Sequence, residues 1–220
     1  MTPTLGFENK IAVLDLGDDE NRFSPDWLDS VDKLLDQALG EGAHALITTA
    51  TGKFYSNGLD LDWLGAHTDK ANLYVQQVQS LFARMLTYPM PTVAAVNGHA
   101  FGAGAMLGVA HDYRVMRDDR GYYCFPEVDI NIPFTEGMAA LIQAKLSPAS
   151  AVVAMTTGRR YGGSDALAAG LVDATASAEA LTTKAIDIVA PIGPKNPGTL
   201  GSIKSTMFAS VVTALHTERP

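Results

Sequence analysis

Two stretches of this chain combine residue types and spacing that can do chemistry without a charged side chain. FYSNGLDLDWL spans residues 54–64 and PTVAAVNGHAFGAGAMLGVAHDYRVM spans residues 91–116. Each reads as a strand running into a glycine turn that opens a helix, and such a turn leaves backbone N–H groups without intrahelical partners at one spot. Two such spots side by side make a hole for an oxyanion. Each backbone donor aimed at a developing oxyanion stabilises it by about 2.7–4 kcal/mol, so the pattern points to an enzyme acting on a carbonyl compound. Ser56, His99 or His111, and Asp112 supply the members of a hydrolase triad in name. No Gly-x-Ser-x-Gly elbow surrounds any serine, and His111-Asp112 closes an apolar helix where packing is the simpler role. Asp60 caps the helix that follows Gly58, and Asp62 faces water.

The elements that must position these turns follow from period and punctuation. Residues 11–16 form a short apolar strand, and Ser24-Pro25 is an N-cap followed by proline at the first helical position. The helix that follows runs to residue 39, with Trp27, Leu28, Val31, Leu34, Leu35 and Ala38 on one face. Strands are predicted over 44–49, 54–56 and 92–96, and a helix over 72–88 stopped by Pro89 and Pro91. Residues 98–104 read as one glycine- and alanine-rich turn, and 103–110, apolar all round, as a buried helix. Residues 113–116 and 122–125 are expected to pair as a hairpin around Arg117-Asp118-Asp119-Arg120-Gly121. Helices at 135–145, 148–157 and 164–169, a last strand at 171–174, and helices at 177–189 and 199–216 complete the chain. The stretch 191–198, with three prolines and two glycines, is the only linker-like segment. The whole reads as α/β, with a core domain over 1–175 and a C-terminal helical region over 176–220.

A chain of 220 residues is long enough to bury a full core. Its net charge of -8, from 16 basic and 24 acidic residues, excludes a nucleic-acid backbone or an anionic membrane surface as partner. The single cysteine, Cys124, suits a reducing compartment. There is no metal-ligand cluster in the sequence. No apolar run approaches the roughly 20 residues that span a bilayer, and the N-terminus lacks the layout of a signal peptide. The last residues, Thr217-Glu218-Arg219-Pro220, are not a Ser-Lys-Leu tripeptide. The expected location is the cytoplasm.

The two glycine segments, with FPEVDINIPF at 125–134 after them, resemble the crotonase family, the enoyl-coenzyme A hydratases and isomerases. The resemblance runs from about residue 11 to residue 174. The runs SNGLDL, GHAFGAG, HDY and EVDI are most similar to the short enoyl-CoA isomerases of plant peroxisomal type. It implies a spiral of ββα repeats with C-terminal helices that cover the site or a neighbouring subunit, in a homotrimer or a pair of trimers. It implies an acyl-CoA thioester substrate and no cofactor beyond the coenzyme A of the substrate itself. The hole is then formed by the N–H groups of Leu59 and Ala103, within turns built on Gly58, Gly102 and Gly104. The resemblance also places coenzyme A near Lys53, Phe54, Asn57, Gly58 and Asp60; Lys53 and Arg84 are the few basic residues close to the motifs that could offset its charge.

Two glutamates flank the acyl chain in this family. The position of the first is occupied here by Met106, and the second is present as Glu127. Hydration asks for two groups to position a water and protonate carbon, whereas moving a double bond needs one base that carries a proton between two carbons. Loss of the first glutamate therefore favours an isomerase over a hydratase; a non-catalytic acyl-CoA binder is the other alternative. Glu127 leads as the base, and Glu136, in a Thr-Glu-Gly turn similar to that of another isomerase branch, rivals it. Either would sit among Met106, Ile130, Ile132 and Phe134, whose apolar surroundings raise a carboxyl pKa. Asp129 shares a face with Glu127 only if that segment is a regular strand.

Overall fold

The computed structural model describes residues 2–217. The chain opens with a hairpin of β1 (Thr4–Glu8) and β2 (Ile11–Asp15), paired antiparallel with Glu8 opposite Ile11. Its two-residue turn puts Asn9 at φ 48° and Lys10 at φ 63°, the left-handed pair whose twist matches the flanking strands. This strand was not foreseen, because β1 is largely exposed and its turn holds no glycine. From β2 the chain passes through α1 (Pro25–Gly40) to β3 (Ala45–Thr49), which lies parallel beside β2. The Ser24 hydroxyl caps α1 by accepting from the Trp27 N–H, as the Ser-Pro pair predicts.

Three successive turns of chain then share a plan. The first lays down β3 and then β4 (Phe54–Ser56), followed by α2 (Leu61–Ala66) and α3 (Ala71–Leu86). The second gives β5 (Thr92–Val96), β6 (His99–Phe101) and α4 (Ala103–Ala110), and the third β7 (Tyr113–Arg117) and β8 (Tyr123–Cys124). Each turn contributes its first strand to a six-stranded sheet and its second to a three-stranded one, β4-β6-β8, parallel throughout. The expected ββα spiral is thus present, with one strand more than foreseen inside the glycine-rich stretch after residue 98.

The hairpin expected around residues 117–121 does not form. β7 is already paired on both edges, with β5 and with β9 (Ala174–Ala176), so β8 finds its partners elsewhere. The Ala100 N–H donates to the Tyr122 carbonyl and the Gly102 N–H to that of Cys124, tying β8 to β6. The link crosses between sheets at Gly121, φ 93°, where a Cβ would stand 2.6 Å from the carbonyl carbon of Gly98. Only a glycine permits that approach.

After β8 come α5 (Glu136–Lys145), α6 (Pro148–Thr157) and α7 (Gly163–Ala168). The last strand starts at Ala174 rather than residue 171, because the Leu171 N–H is spent on the Ala166 carbonyl in closing α7. In the C-terminal region, α8 (Leu181–Val189) lays Leu181, Ala185 and Val189 on one face of the large sheet, against Ile47, Val93 and Val115. The terminal helix divides at Phe208 (φ -110°, ψ 19°) into α9 (Pro197–Met207) and α10 (Ala209–His216). Phe208 is buried, with the Lys145 ammonium over its ring. α10 packs on α3 and α5. Residues 218–220, which include most of the C-terminal run considered above, lie outside the described residues. Among the described residues no helix is long and apolar enough to cross a membrane.

Candidate active site

The three strands of the small sheet run parallel, so their C-terminal ends open on one side, where parallel sheets bind ligands. Each end supplies one part of a site. β4 leads into Asn57-Gly58-Leu59, β6 into Gly102-Ala103, and β8 into Phe125-Pro126-Glu127. Gly58 adopts φ 80°, and a Cβ there would lie 2.7 Å from the Phe101 carbonyl oxygen and 2.9 Å from the Ala103 nitrogen. The two turns therefore touch backbone to backbone. The Ser56 hydroxyl locks the first turn, donating to the Asn21 carbonyl at 2.8 Å and accepting from the Gly58 N–H at 3.1 Å. Gly104 brings α4 against β4: a Cβ there would stand 2.3 Å from the Ser56 carbonyl. The N–H groups of Leu59 and Ala103 have no acceptor among the described residues. Both residues line a cavity of about 410 Å³ with Asn57, Met106, Met138 and Glu127.

Glu127 is 8% exposed, and its Oε2 has no hydrogen-bond partner among the described residues. Its Oε1 lies 3.3 Å from where a Cβ on Gly102 would be, beside the peptide unit that carries the Ala103 N–H. Burial pushes its pKa up to about 7, because removing water penalises the charged form. A carboxyl poised there takes and returns a proton at neutral pH with little bias either way. Met106, 1% exposed, also faces the cavity.

The rival carboxyls point elsewhere. Glu136 is the exposed first residue of α5, outside the cavity lining, in a helix whose N-cap is the Thr135 hydroxyl. Residues 127–131 form turns rather than a strand, which separates Asp129 from Glu127. The Asp129 carboxylate lies instead against Gly158, where a Cβ would stand 2.2 Å from Oδ2. Asp60 caps α2 by accepting from the Trp63 N–H at 3.0 Å, and Asp62 is exposed, as expected. Phe134 lies outside this cavity, in a cleft on the other side of the Glu127 loop. His111 is buried and accepts or donates within the core, Nε2 to Thr48 Oγ1 at 2.8 Å and Nδ1 to the Leu107 carbonyl at 2.8 Å. Burial lowers its pKa to about 3, so it is a neutral packing residue.

The cations near the cavity are not those the sequence suggests. Lys53 is exposed, with its ammonium 5.3 Å from the Phe54 ring centroid, and Phe54 meets the His99 ring at a tilt outside the cavity. Arg84 is committed to Asp32 and Asp36 of α1. Arg22 and Arg160 line the cavity instead. Arg22 is held by Glu20 and, at 2.8 Å, by Asp62, while Arg160 lies 5.7 Å over the Phe101 ring. The only sequence signal for the second was the basic pair that follows Gly158. The thiol of Cys124, another lining residue not foreseen, is pushed up to about 11 by burial and is inert.

Two sheets laid down alternately by a spiral, with a backbone hole where the strands of the smaller one end, define the crotonase fold. The chain belongs to the enoyl-CoA hydratase/isomerase family, which it matches over residues 6–219. The peroxisomal enoyl-CoA delta isomerase 2 of Arabidopsis thaliana is 42% identical over 169 residues, 73% of this chain and 70% of that protein. This accords with the plant-type motifs. The apo structure of an enoyl-CoA isomerase of Mycobacterium tuberculosis matches with a TM-score of 0.89 at 26% identity, over 97% of this chain and 93% of that one. Human mitochondrial delta3-delta2-enoyl-CoA isomerase matches with a TM-score of 0.88 at 20% identity, over 98% of this chain and 86% of that one, a likeness of fold.

Proposed function

We propose that this protein is a Δ3-Δ2-enoyl-CoA isomerase with Glu127 as its single base. The observation that carries this reading is one buried carboxyl beside a backbone hole, its Oε2 without a hydrogen-bond partner among the described residues, with Met106 rather than a second buried carboxyl in the same cavity. The other acidic lining residue, Asp62, is exposed and paired with Arg22. The names of the plant relatives support the same assignment.

In this mechanism the thioester oxygen of a 3-enoyl-CoA accepts hydrogen bonds from the Leu59 and Ala103 amides. The Glu127 carboxylate takes a proton from C2, and the electron pair of that C–H bond passes into a dienolate whose oxygen charge rests in the hole. The new carboxylic acid then gives its proton to C4 as the double bond forms between C2 and C3. Glu127 ends as it began, so neither metal nor redox cofactor is required. Arg160, which lines the cavity, offsets the charge of an anionic coenzyme, whereas Arg22 is already neutralised by Glu20 and Asp62.

The test is turnover of a 3-enoyl-CoA, followed by absorbance of the conjugated product, with water addition to a 2-enoyl-CoA assayed alongside. Isomerisation without hydration supports the reading; hydration alone overturns it in favour of a hydratase, and tight binding without turnover in favour of a non-catalytic acyl-CoA protein. The assembly we propose is a homotrimer or a pair of trimers, supported by Val128, Ile130 and Val152, which are exposed apolar side chains on α6 and the turn after Glu127. Light scattering of the purified protein measures it. The compartment we propose is the cytoplasm, a reducing space that suits a chain with one free cysteine.

A further inference from the structure

Outside the reaction cavity, five charged side chains from separate parts of the chain act on one another: Lys145 of α5, Arg114 of β7, Lys204 of α9, and Asp112 and Asp173 of the turns that precede β7 and β9. Four of them are paired, Lys204 with Asp112 at 2.6 Å and Arg114 with Asp173 at 3.3 Å. Lys145, the last residue of α5, is the fifth. It makes no ion pair among the described residues, and its ammonium lies 5.5 Å from the Phe208 ring centroid. We propose that Lys145 is a modification site, a nucleophilic lysine that takes an acyl group directly from acyl-CoA thioesters. The inference goes beyond the isomerase reading and does not depend on it.

The surroundings favour the neutral amine, the form with a lone pair to give. Both carboxylates are engaged elsewhere. Asp112 Oδ2 accepts from Lys204 and from the Thr92 N–H at 2.8 Å, and Asp173 Oδ2 accepts from the Arg114 N–H at 2.7 Å besides its guanidinium. His111, neutral at physiological pH, adds no charge to the group. Burial, with Arg114 and Lys204 as neighbours, lowers the Lys145 ammonium to about 8 against the weaker pull of Asp112 and Asp173. A lysine desolvated beside other cations is an activated nucleophile, and Lys145 is half-buried rather than closed off. Its Nζ lone pair attacks the thioester carbonyl carbon, the C–S bond breaks, and the coenzyme leaves as a thiolate that takes up the proton the nitrogen gives up. The products are an amide and free coenzyme A, with nothing oxidised or reduced. The acyl group then replaces the ammonium over Phe208, where it meets an apolar ring, and the unpaired positive charge is gone. Phe208 is where the terminal helix divides, so the modification falls at the joint between α9 and α10.

The test is reaction of the full chain with excess acetyl-CoA, with the rate at each lysine read by peptide mass spectrometry from about pH 6.5 to about pH 9.5, a range that brackets the lowered value. A lysine lowered to about 8 from the ordinary 10.4 has a neutral fraction larger by about a hundredfold near pH 7.5, part of which is offset by weaker basicity and slower approach. Lys145 is therefore expected to react at least about tenfold faster there than the exposed Lys33 and Lys184. Its rate should level off above about pH 8 while theirs keep rising. In urea, where the cluster is dispersed, the advantage should vanish. A Lys145 rate at or below those of Lys33 and Lys184, a rate that climbs in parallel with theirs over the whole range, or an advantage that survives unfolding overturns the inference. Because Lys145 lies outside the cavity lining, a protein that fails to isomerise 3-enoyl-CoAs would lose the function proposed above and keep this site.

Discussion

The large and small sheets come from the same turns of chain, yet they are built to different standards. In the large sheet the strands are five residues long except for β9, and β3, β5 and β7 are mostly buried, with protein on both faces. The small sheet has strands of three, three and two residues, with an irregular register between Phe54 and Ser56. Short parallel strands give little pairing energy of their own, and the α4 helix and tight glycine contacts hold them in place. The difference separates the tasks. The large sheet supplies the burial that keeps the chain folded, and the small one presents Leu59, Ala103 and Glu127 at three adjacent strand ends.

Substitutions on the two sheets should therefore fail in different ways. Glu127→Gln is expected to lower isomerisation by about 10²- to 10⁴-fold, the usual range for losing a general base, while Glu136→Gln stays within about twofold; a large loss from Glu136→Gln in steady-state assays would reverse the assignment. Gly58→Ala forces a Cβ into the Ala103 amide at a positive φ. It should cost about 10²-fold in kcat through the hole and more than about 1 kcal/mol in urea unfolding.

The pH behaviour sharpens the contrast further. Since the carboxylate is the active form, log kcat/KM should rise with unit slope up to about pH 7 and then level off. The same group bears on stability. An acid whose pKa is raised by folding gives stability that is full below its unfolded value and is lost as pH rises to about 7. Glu127→Gln should thus unfold at higher urea than wild type at pH 8, by about 2–3 kcal/mol, and at nearly the same urea at pH 4. His111, under the large sheet, acts in the opposite direction, with stability lost as pH falls from about 6.5 towards 3. The smallest effect belongs to the large sheet itself: Ile47→Val, at a fully buried position, should cost about 1 kcal/mol in unfolding and leave kcat unchanged.

What could be read from the sequence follows the same division. The strands and helices around the large sheet announce themselves through apolar runs and caps such as Ser24-Pro25, because their burial is decided locally. The two glycine turns at Gly58 and Gly102 were legible too, since such turns are a property of the backbone. Illegible were the features settled by distant partners. β6 is hidden among glycines, and β8 pairs with β6 only because β7 has no free edge. The choice between Glu127 and Glu136 depends on a turn at 127–131 that buries one and leaves the other on a helix start. Arg22 and Arg160 are held in place by tertiary contacts that no spacing encodes.

The placement of one small-sheet strand in each turn of the spiral has a consequence for how the protein comes into being. Residues 59, 103 and 127 approach one another only when three separate turns of chain have been wound, so the site is a record of completed winding. Such long-range pairing is laid down late and slowly compared with local helices. A nascent chain that has emerged only as far as α4 can hold most of the large sheet, but it has an unfinished pocket that still lacks Glu127. Catalytic competence and closure of the spiral should therefore appear together during refolding, with no active partly folded form preceding them.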